Sequence, residues 1–541
     1  MRRAAKYTAD LALLHGNVFT GNPTQKRAQA IAIKGNRIIA VGSDEGIVPL
    51  VGKTTRVLDL GGRFVCAGFN DAHVHLVGGG LSLARVELRG ARSLEDLRAR
   101  IEGGAARLPE GAWIEGRGWD QTDLPGGEYP PLGLLDEASG GRPAFFYRTD
   151  GHTAWANSAA LAEAGFGPDT PNPPGGEIVR GKDGAPTGIL KESASALVER
   201  VIPRPGPAEH RAAVLSALAE FRRLGITSVS EFSPPGAARV YSELLQEGRL
   251  TARISVWAPL TDDIEAAEDV RDLFLPENSY LRCTTLKAYL DGTLGAHTAA
   301  LVDPYTDQPG ETGLAQIAEE PLRRLVRRAH RAGFQVALHA IGDRAVKMAL
   351  DAIEHIGHEA RARRHRIEHA EVVNPADVQR FLASGVIASM QPSQLISDLR
   401  WLVERLGRER LAAVFPWRRL ADSGARVIFG SDWPVEPLNP LLGMFGATAT
   451  LAAEGLPSLG LRAEAQMDPE DALTAFTVGP AYATFEESLK GTIIAGHLAD
   501  LAVLTGDPTR VPAEEIPNLA VDYTIFDGKV VYSREGAGPE A

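Results

Sequence analysis

Phe64-Val65-Cys66-Ala67-Gly68-Phe69-Asn70-Asp71-Ala72-His73-Val74-His75-Leu76 carries an apolar run into two histidines one residue apart. Residues 64–69 predict a short buried strand, the first of a barrel. Side chains alternate along a strand with a period of two, so His73 and His75 face the same side. Two imidazoles aimed at one point past a strand end suit a divalent cation, since histidine is the commonest metal ligand. In a chain with 13 histidines, one such pair could equally be two polar loop residues. Recurrence decides between the readings. Phe334-Gln335-Val336-Ala337-Leu338-His339 is a second apolar run ending in histidine, and Arg366-Ile367-Glu368-His369 ends another. Arg426-Val427-Ile428-Phe429-Gly430-Ser431-Asp432 ends in a carboxylate. Helical periodicity precedes such runs, as at Leu322, Leu325, Val326 and Ala329. Strand, polar residue, loop and helix in repetition predict an α/β fold, a (β/α)8 TIM-like barrel with its chemistry at the carboxyl ends of the strands.

Composition sets the outer bounds. A chain of 541 residues, 44% hydrophobic, can bury a large core and is expected to divide into domains. No apolar run approaches the ~20 residues of a membrane span, and the first ten residues lack the apolar stretch of a signal peptide. The two cysteines, Cys66 and Cys283, both fall in predicted buried strands, so no disulfide framework is expected and a reducing cytoplasm fits. A net charge of −12 argues against nucleic acid as a partner. Arg361-Ala362-Arg363-Arg364 reads as solvated helix surface. The expected partner is a small molecule, with no nucleic acid and no membrane, and a homodimer is left open.

Both ends of the chain read as β structure. Ala30-Ile31-Ala32-Ile33 and Ile38-Ile39-Ala40-Val41-Gly42 flank a Gly/Asn turn, and residues 523–532 contain an Asp-Gly turn. A small β-sandwich domain built from both termini follows, with residues 1–62 and 486–541 enclosing a barrel over 63–485. The predicted barrel strands are 64–69, 226–232, 253–258, 285–290, 334–338, 365–368, 385–390 and 426–429. The gap between the first two is far too long for a simple crossover, so a large insertion after barrel strand 1, about 85–205, is expected. It shows helical patches at 93–108 and 193–200, and its expected role is a lid or substrate pocket.

Within the fourth predicted strand, Thr285-Leu286-Lys287-Ala288-Tyr289-Leu290-Asp291, a lysine interrupts an apolar segment. A lone buried ammonium is costly. It can react with CO2 as a free amine and form a carbamate able to bridge two metals, or it can reach solvent or Asp291. With these stretches in view, the chain resembles the metal-dependent amidohydrolase superfamily, and within it the Amidohydrolase 3 family that includes N-substituted formamide deformylases. The resemblance runs from about Asp10 to Tyr532 and is most specific in Gly430-Ser431-Asp432-Trp433-Pro434-Val435-Glu436-Pro437. It implies a divalent metal centre, zinc with one or two ions per chain, held by His73, His75, Lys287, His339, His369 and Asp432, with a CO2-derived carbamate on Lys287. Two stretches depart from the family pattern: Leu294-Gly295-Ala296-His297-Thr298 and Met390-Gln391-Pro392-Ser393-Gln394. Neither touches a ligand, and both are expected to alter substrate contacts, which nominates His297 and Gln394.

The implied reaction is hydrolysis of a non-peptide C–N bond (an amide, an N-formyl or N-acyl amine, or a cyclic amide) by a metal-activated hydroxide, with Asp432 as general acid/base. His152, in the insertion, either binds the substrate carbonyl and assists catalysis or is a hydrogen-bonded structural residue. Trp119 and Trp155 either line a substrate pocket or pack the insertion. Asp71 is expected to orient a ligand histidine, and Asp343 to cap the helix after strand five. Two rivals remain. One is a mononuclear aminohydrolase that deaminates a heterocycle and has no need of Lys287. The other is a catalytically silent metal-binding regulatory protein, against which the intact ligand set argues.

Overall fold

The computed structural model describes residues 8–148, 153–167, 169–173, 176–232, 234, 236–399, 401–449 and 465–535. The chain forms two compact units: Met1–Val77 with Ala217–Ala541, and Gly78–Ser216.

In the first unit eight parallel strands follow one another in chain order: Phe69–Val74, Ile226–Glu231, Arg253–Pro259, Leu281–Tyr289, Gln335–Ala340, Arg366–His369, Ile387–Met390 and Val427–Phe429. A parallel bridge between Val74 and Trp433 joins the first strand to the segment just past the eighth. The predicted (β/α)8 barrel is therefore present. Its strands are buried on both faces; the fifth and eighth read as apolar runs, while the first, second and sixth carry buried polar residues among the apolar ones. Between strands, the helix Glu319–Arg331 buries Leu322, Leu325, Val326 and Ala329, the stripe its periodicity predicts.

The first strand requires a correction. Residues 64–69 do not form a barrel strand. Phe64–Ala67 belongs to a different, six-stranded sheet, and the barrel strand begins at Phe69. Gly68 marks the handover. A Cβ there would lie 2.2 Å from Thr227 Oγ1 and 2.4 Å from its Cγ2, so only glycine allows the two sheets to separate beside the second barrel strand.

That six-stranded sheet mixes both ends of the chain, placing Leu501–Leu504 between Phe64–Ala67 and Val521–Phe526. A four-stranded sheet contains the hairpin Ala30–Lys34 and Arg37–Gly42 together with Leu11–Leu14 and Arg56–Asp59. Leu11, Leu13, Ile31 and Ile33 from one sheet meet Val65, Leu501, Val503 and Ile525 from the other in one apolar core, which makes the β-sandwich. The Asp-Gly turn of the carboxyl-terminal hairpin has both residues at positive φ, Asp527 at 51° and Gly528 at 77°. Arg253, at the start of the third barrel strand, is fully buried against this domain. It makes two hydrogen bonds to Asp500, of 2.6 and 3.0 Å, and one of 3.0 Å to Asp527.

The insertion has a sheet that its sequence did not suggest. Six strands run in the order Gly176–Arg180, Pro186–Glu192, Thr153–Ala156, Ala144–Arg148, Ile114–Trp119 and Val86–Glu87. The helical patch at 93–108 becomes the helix Leu94–Ala105, capped by Ser93 Oγ accepting from the Asp96 N–H at 3.1 Å. The patch at 193–200 shortens to Ala196–Glu199. Among the described residues no helix is long and apolar enough to cross a membrane.

Candidate metal centre

The ends of barrel strands one, four, five and six and the segment after strand eight bring together His73, His75, Lys287, His339, His369 and Asp432. His73 lies within strand one and His75 just beyond it. Their rings are 5.5 Å apart, on one side as the alternation requires. The rings of His73 and His369 are 5.3 Å apart, and those of His339 and His369 are 4.4 Å apart. One ligand atom from each of His73, His75 and Asp432 lies within 4.8 Å of the other two. Lys287 is 2% exposed, with Nζ 3.5 Å from His73 Nε2.

Backbone strain collects at the same place. His369, Ala370 and Asp432 have φ of 73°, 47° and 60°, in the left-handed region that residues with a Cβ seldom occupy. His369 would face away from Glu368 under strict alternation. Its positive φ takes it out of strand geometry at the last residue and brings its ring to His73. Asp432 is fixed by its own N–H donating to His73 O at 2.7 Å, while the His75 N–H donates to Trp433 O at 2.8 Å. Gly430 permits this approach, because a Cβ there would lie 2.5 Å from His73 N.

Tautomers follow from the hydrogen bonds. His73 Nδ1 is 2.8 Å from Glu368 Oε2, and His75 Nδ1 is 2.9 Å from the carbonyl of Phe232. Both partners are acceptors, so both Nδ1 atoms carry a proton, and in the neutral imidazoles both Nε2 atoms present lone pairs. Asp432 Oδ1 stands 3.2 Å from His75 Nε2 and 3.5 Å from His73 Nε2. With both imidazoles neutral these are three acceptors facing one another, an arrangement that a shared cation satisfies in place of the proton that Asp432 favours on His75. His339 Nδ1, His369 Nδ1 and Asp432 Oδ1 are also buried with no hydrogen-bond partner among the described residues. These orphaned atoms fit a divalent cation, which nitrogen and oxygen donors of this kind bind.

The electrostatics agree at His73, His339 and His369 and run the other way at His75. Burial holds His73, His339 and His369 well below the usual imidazole range, with Lys287 adding to the effect. Burial also brings Lys287 down to about 8, opposed by Glu368 and Asp432. For Asp432, burial pushes upward, but His73, His75 and Lys287 outweigh it and hold the carboxyl below its ordinary value. His75 is the counterpart: burial works against its charge, and Asp432 more than compensates.

Several expected roles change. Asp71 positions His73 through the backbone rather than the ring, its Oδ1 accepting from the N–H groups of His73 at 3.1 Å and Ser431 at 2.9 Å. Burial raises its carboxyl to about 7. Asp291 does not pair with Lys287; its carboxylate accepts from the N–H groups of Ala300, Ile341 and Gly342. Asp343 is the first residue of its helix and accepts from Val302 N–H at 2.8 Å, tying down a loop. Trp119 is a core residue of the insertion, fully buried with its N–H donating to Phe146 O at 2.9 Å, and it has no surface to offer a substrate. Trp155 packs against it, ring to ring at 6.2 Å. His297 is committed to a loop, its Nε2 3.1 Å from the Asp307 carboxylate that also pairs with Arg405. Gln394 lies on the helix Pro392–Asp398, its Oε1 buried and without a partner among the described residues. His152 lies outside the described residues.

Sequence reasoning missed Glu368 as the carboxylate behind His73. Glu368 is fully buried and held by Arg366, whose Nε donates to Oε1 at 2.5 Å and whose Nη2 donates to Ser389 Oγ at 2.7 Å and Ala72 O at 2.8 Å. The signal was available: residues 366 and 368 share one face of a buried strand, and two opposite charges there must serve each other. Glu368→Gln keeps the shape and removes the charge that orients His73. It is expected to lower affinity for divalent metal about 10–100-fold, read by competition with a chelator; unchanged affinity would leave Glu368 a purely structural residue.

Histidines and a carboxylate converging past the strand ends of a barrel suit the binding of a divalent metal. Residues 56–532 match the amidohydrolase family, and the chain belongs to it; its members are generally hydrolases. The chain is 32% identical over 550 residues to Protein LONG AFTER FAR-RED 3 of Arabidopsis thaliana, covering 98% of this chain and 92% of that protein. It is 28% identical over 549 residues to the N-substituted formamide deformylase of Arthrobacter pascens, covering 98% and 99% respectively. The crystal structure of an uncharacterized metal-dependent hydrolase from Pyrococcus horikoshii superposes with a TM-score of 0.77 at 31% identity, covering 93% of this chain and 99% of that one.

Proposed function

We propose that the chain hydrolyses a non-peptide C–N bond of a small molecule (an amide, an N-formyl or N-acyl amine, or a cyclic amide) at a centre of one or two divalent cations, zinc first among them. The observation that carries this reading is the convergence of His73 Nε2, His75 Nε2 and Asp432 Oδ1 as three facing acceptors. The formamide deformylase among the relatives supports the bond class. His73, His75, His339, His369, Asp432 and a carbamate on Lys287 would hold one or two such cations. A bound divalent cation supplies Lewis acidity and lowers the pKa of water toward about 7.

The chain's own residues do the rest. Asp432, held below the ordinary carboxylate range, accepts the proton of the attacking water and returns it to the departing nitrogen. Glu368 and Arg366 keep His73 in one tautomer. Tyr289 and Phe232, their rings 6.2 Å apart and flanking His339 and His75, give an apolar substrate group an aromatic wall. Lys287 has no carboxylate within ion-pair distance among the described residues, which suits a free amine. Addition to CO2 forms one N–C bond and releases one proton.

Metal-loaded protein screened against N-formyl and N-acyl amines, cyclic amides and carbamates, with ester controls, should cleave the C–N compounds. Turnover of esters alone would remove the reading. Lys287→Ala should lower metal content and turnover together, with short carboxylic acids restoring part of both. Lys287→Arg should not rescue, because guanidinium stays protonated. A second reading, a mononuclear deaminase, draws on the compactness of the His73, His75 and Asp432 set; one metal per chain with ammonia released from a heterocycle would select it.

A further inference from the structure

The insertion contains a cavity of about 550 Å³ that the metal centre does not account for. That volume lies in the range of small-ligand pockets. One wall is the parallel pair Ile114–Trp119 and Ala144–Arg148, where Glu115 lies opposite Phe145 and Arg117 opposite Tyr147. The other wall is the stretch 202–205, which adds Ile202, two prolines and Arg204. Both walls belong to the insertion.

Charge is the informative property. Four arginines line the cavity, Arg85, Arg117, Arg148 and Arg204, against two carboxylates, Glu115 and Glu199. Arg85 takes up Glu115 at 3.0 Å, and Arg148 is held by Asp120 and Gln121, each at 2.7 Å. Among the described residues, the guanidinium groups of Arg117 and Arg204 have neither a hydrogen bond nor an ion pair. In a chain of net charge −12, a concave surface with two unanswered guanidinium groups is a local reversal of sign. Guanidinium forks match carboxylate and phosphate oxygens. Tyr147, Ile202 and the prolines offer an apolar surface between the two charges.

We propose that this cavity is a binding site for a small organic anion, a carboxylate or phosphate group carried on a compact apolar body, held by Arg117 and Arg204 over Tyr147. The site is independent of the metal centre, and it stands or falls separately from the hydrolase reading.

Calorimetric titration of the full metal-loaded chain with benzoate, phenyl phosphate and inorganic phosphate tests it. The aryl anions should bind saturably and more tightly than inorganic phosphate, and uncharged benzyl alcohol should not bind. Arg117→Gln and Arg204→Gln should each weaken aryl anion binding about tenfold. Arg239→Gln, an exposed arginine elsewhere with the same change in charge, should leave it unaltered. The affinity should also survive His73→Ala with His75→Ala, which separates this site from anion binding at the metal. The proposal is overturned if no probe binds saturably, if the arginine variants bind as the parent does, if inorganic phosphate binds equally well, or if affinity is lost with the two histidines.

Discussion

Changing His73 and His75 together to alanine is expected to strip divalent metal from the purified protein and to abolish hydrolysis with it. With their Nδ1 protons committed to Glu368 and to the Phe232 carbonyl, the neutral rings offer Nε2 lone pairs to a metal. The double variant therefore deletes two donors whose tautomers the protein has already fixed. Losing an outer partner of a metal ligand costs about 10–100-fold in affinity, and losing two ligands should exceed that. The fold should survive. Arg366 and Glu368 still neutralise each other, and Asp71 still ties the backbone N–H groups of residue 73 and Ser431. Metal analysis beside a circular dichroism spectrum separates the outcomes. Full metal occupancy in a folded double variant would remove these residues from the centre, and an unfolded one would assign them to the core.

The barrel was legible because several segments, such as 334–339 and 426–432, are apolar runs ending in polar residues, and that signal is local. What was misread depends on contacts distant in sequence. Phe64–Ala67 is apolar and Phe69–Val74 follows it after a single glycine, so the two read as one run, and only their distant pairing partners, Leu501–Leu504 and Ile226–Glu231, show that they enter different sheets. The insertion's sheet was missed because its strands are short and interleaved with glycine and proline, which leaves no strong period. Four of the proposed ligands end strands and could be found one by one. The carboxylate behind His73 could not, since Glu368 lies 295 positions away and only closure of the barrel brings it within 2.8 Å. Asp71 was expected to orient a ligand histidine, and it does hold His73, but through the backbone N–H, a route that pattern cannot show because it says nothing of backbone amides. Trp119 shows the opposite limit: an aromatic ring in a core and one in a pocket have the same sequence appearance until burial is known.

A chain ending at Leu498 is expected to be recovered insoluble, a larger effect than any single substitution. Leu501–Leu504 is not an edge strand; it sits between Phe64–Ala67 and Val521–Phe526, with Leu501 opposite Ala67 and Val503 opposite Val65. Its removal opens one whole side of Phe64–Ala67, an unpaired apolar edge that invites association. Leu501, Val503 and Ile525 also leave the sandwich core, at about 1.5–3 kcal/mol for each buried side chain. Arg253 suffers most. Its buried guanidinium would lose Asp500 and Asp527 together, and a stranded buried charge costs about 3–5 kcal/mol. These losses rival the whole stability of a domain, about 5–15 kcal/mol. Asp500→Asn isolates the charge from the strand and should lower the melting temperature while leaving metal content unchanged. A truncated chain that stays soluble, folded and metal-bearing would show that the barrel stands without the β-sandwich, and that Arg253 finds another counter-charge.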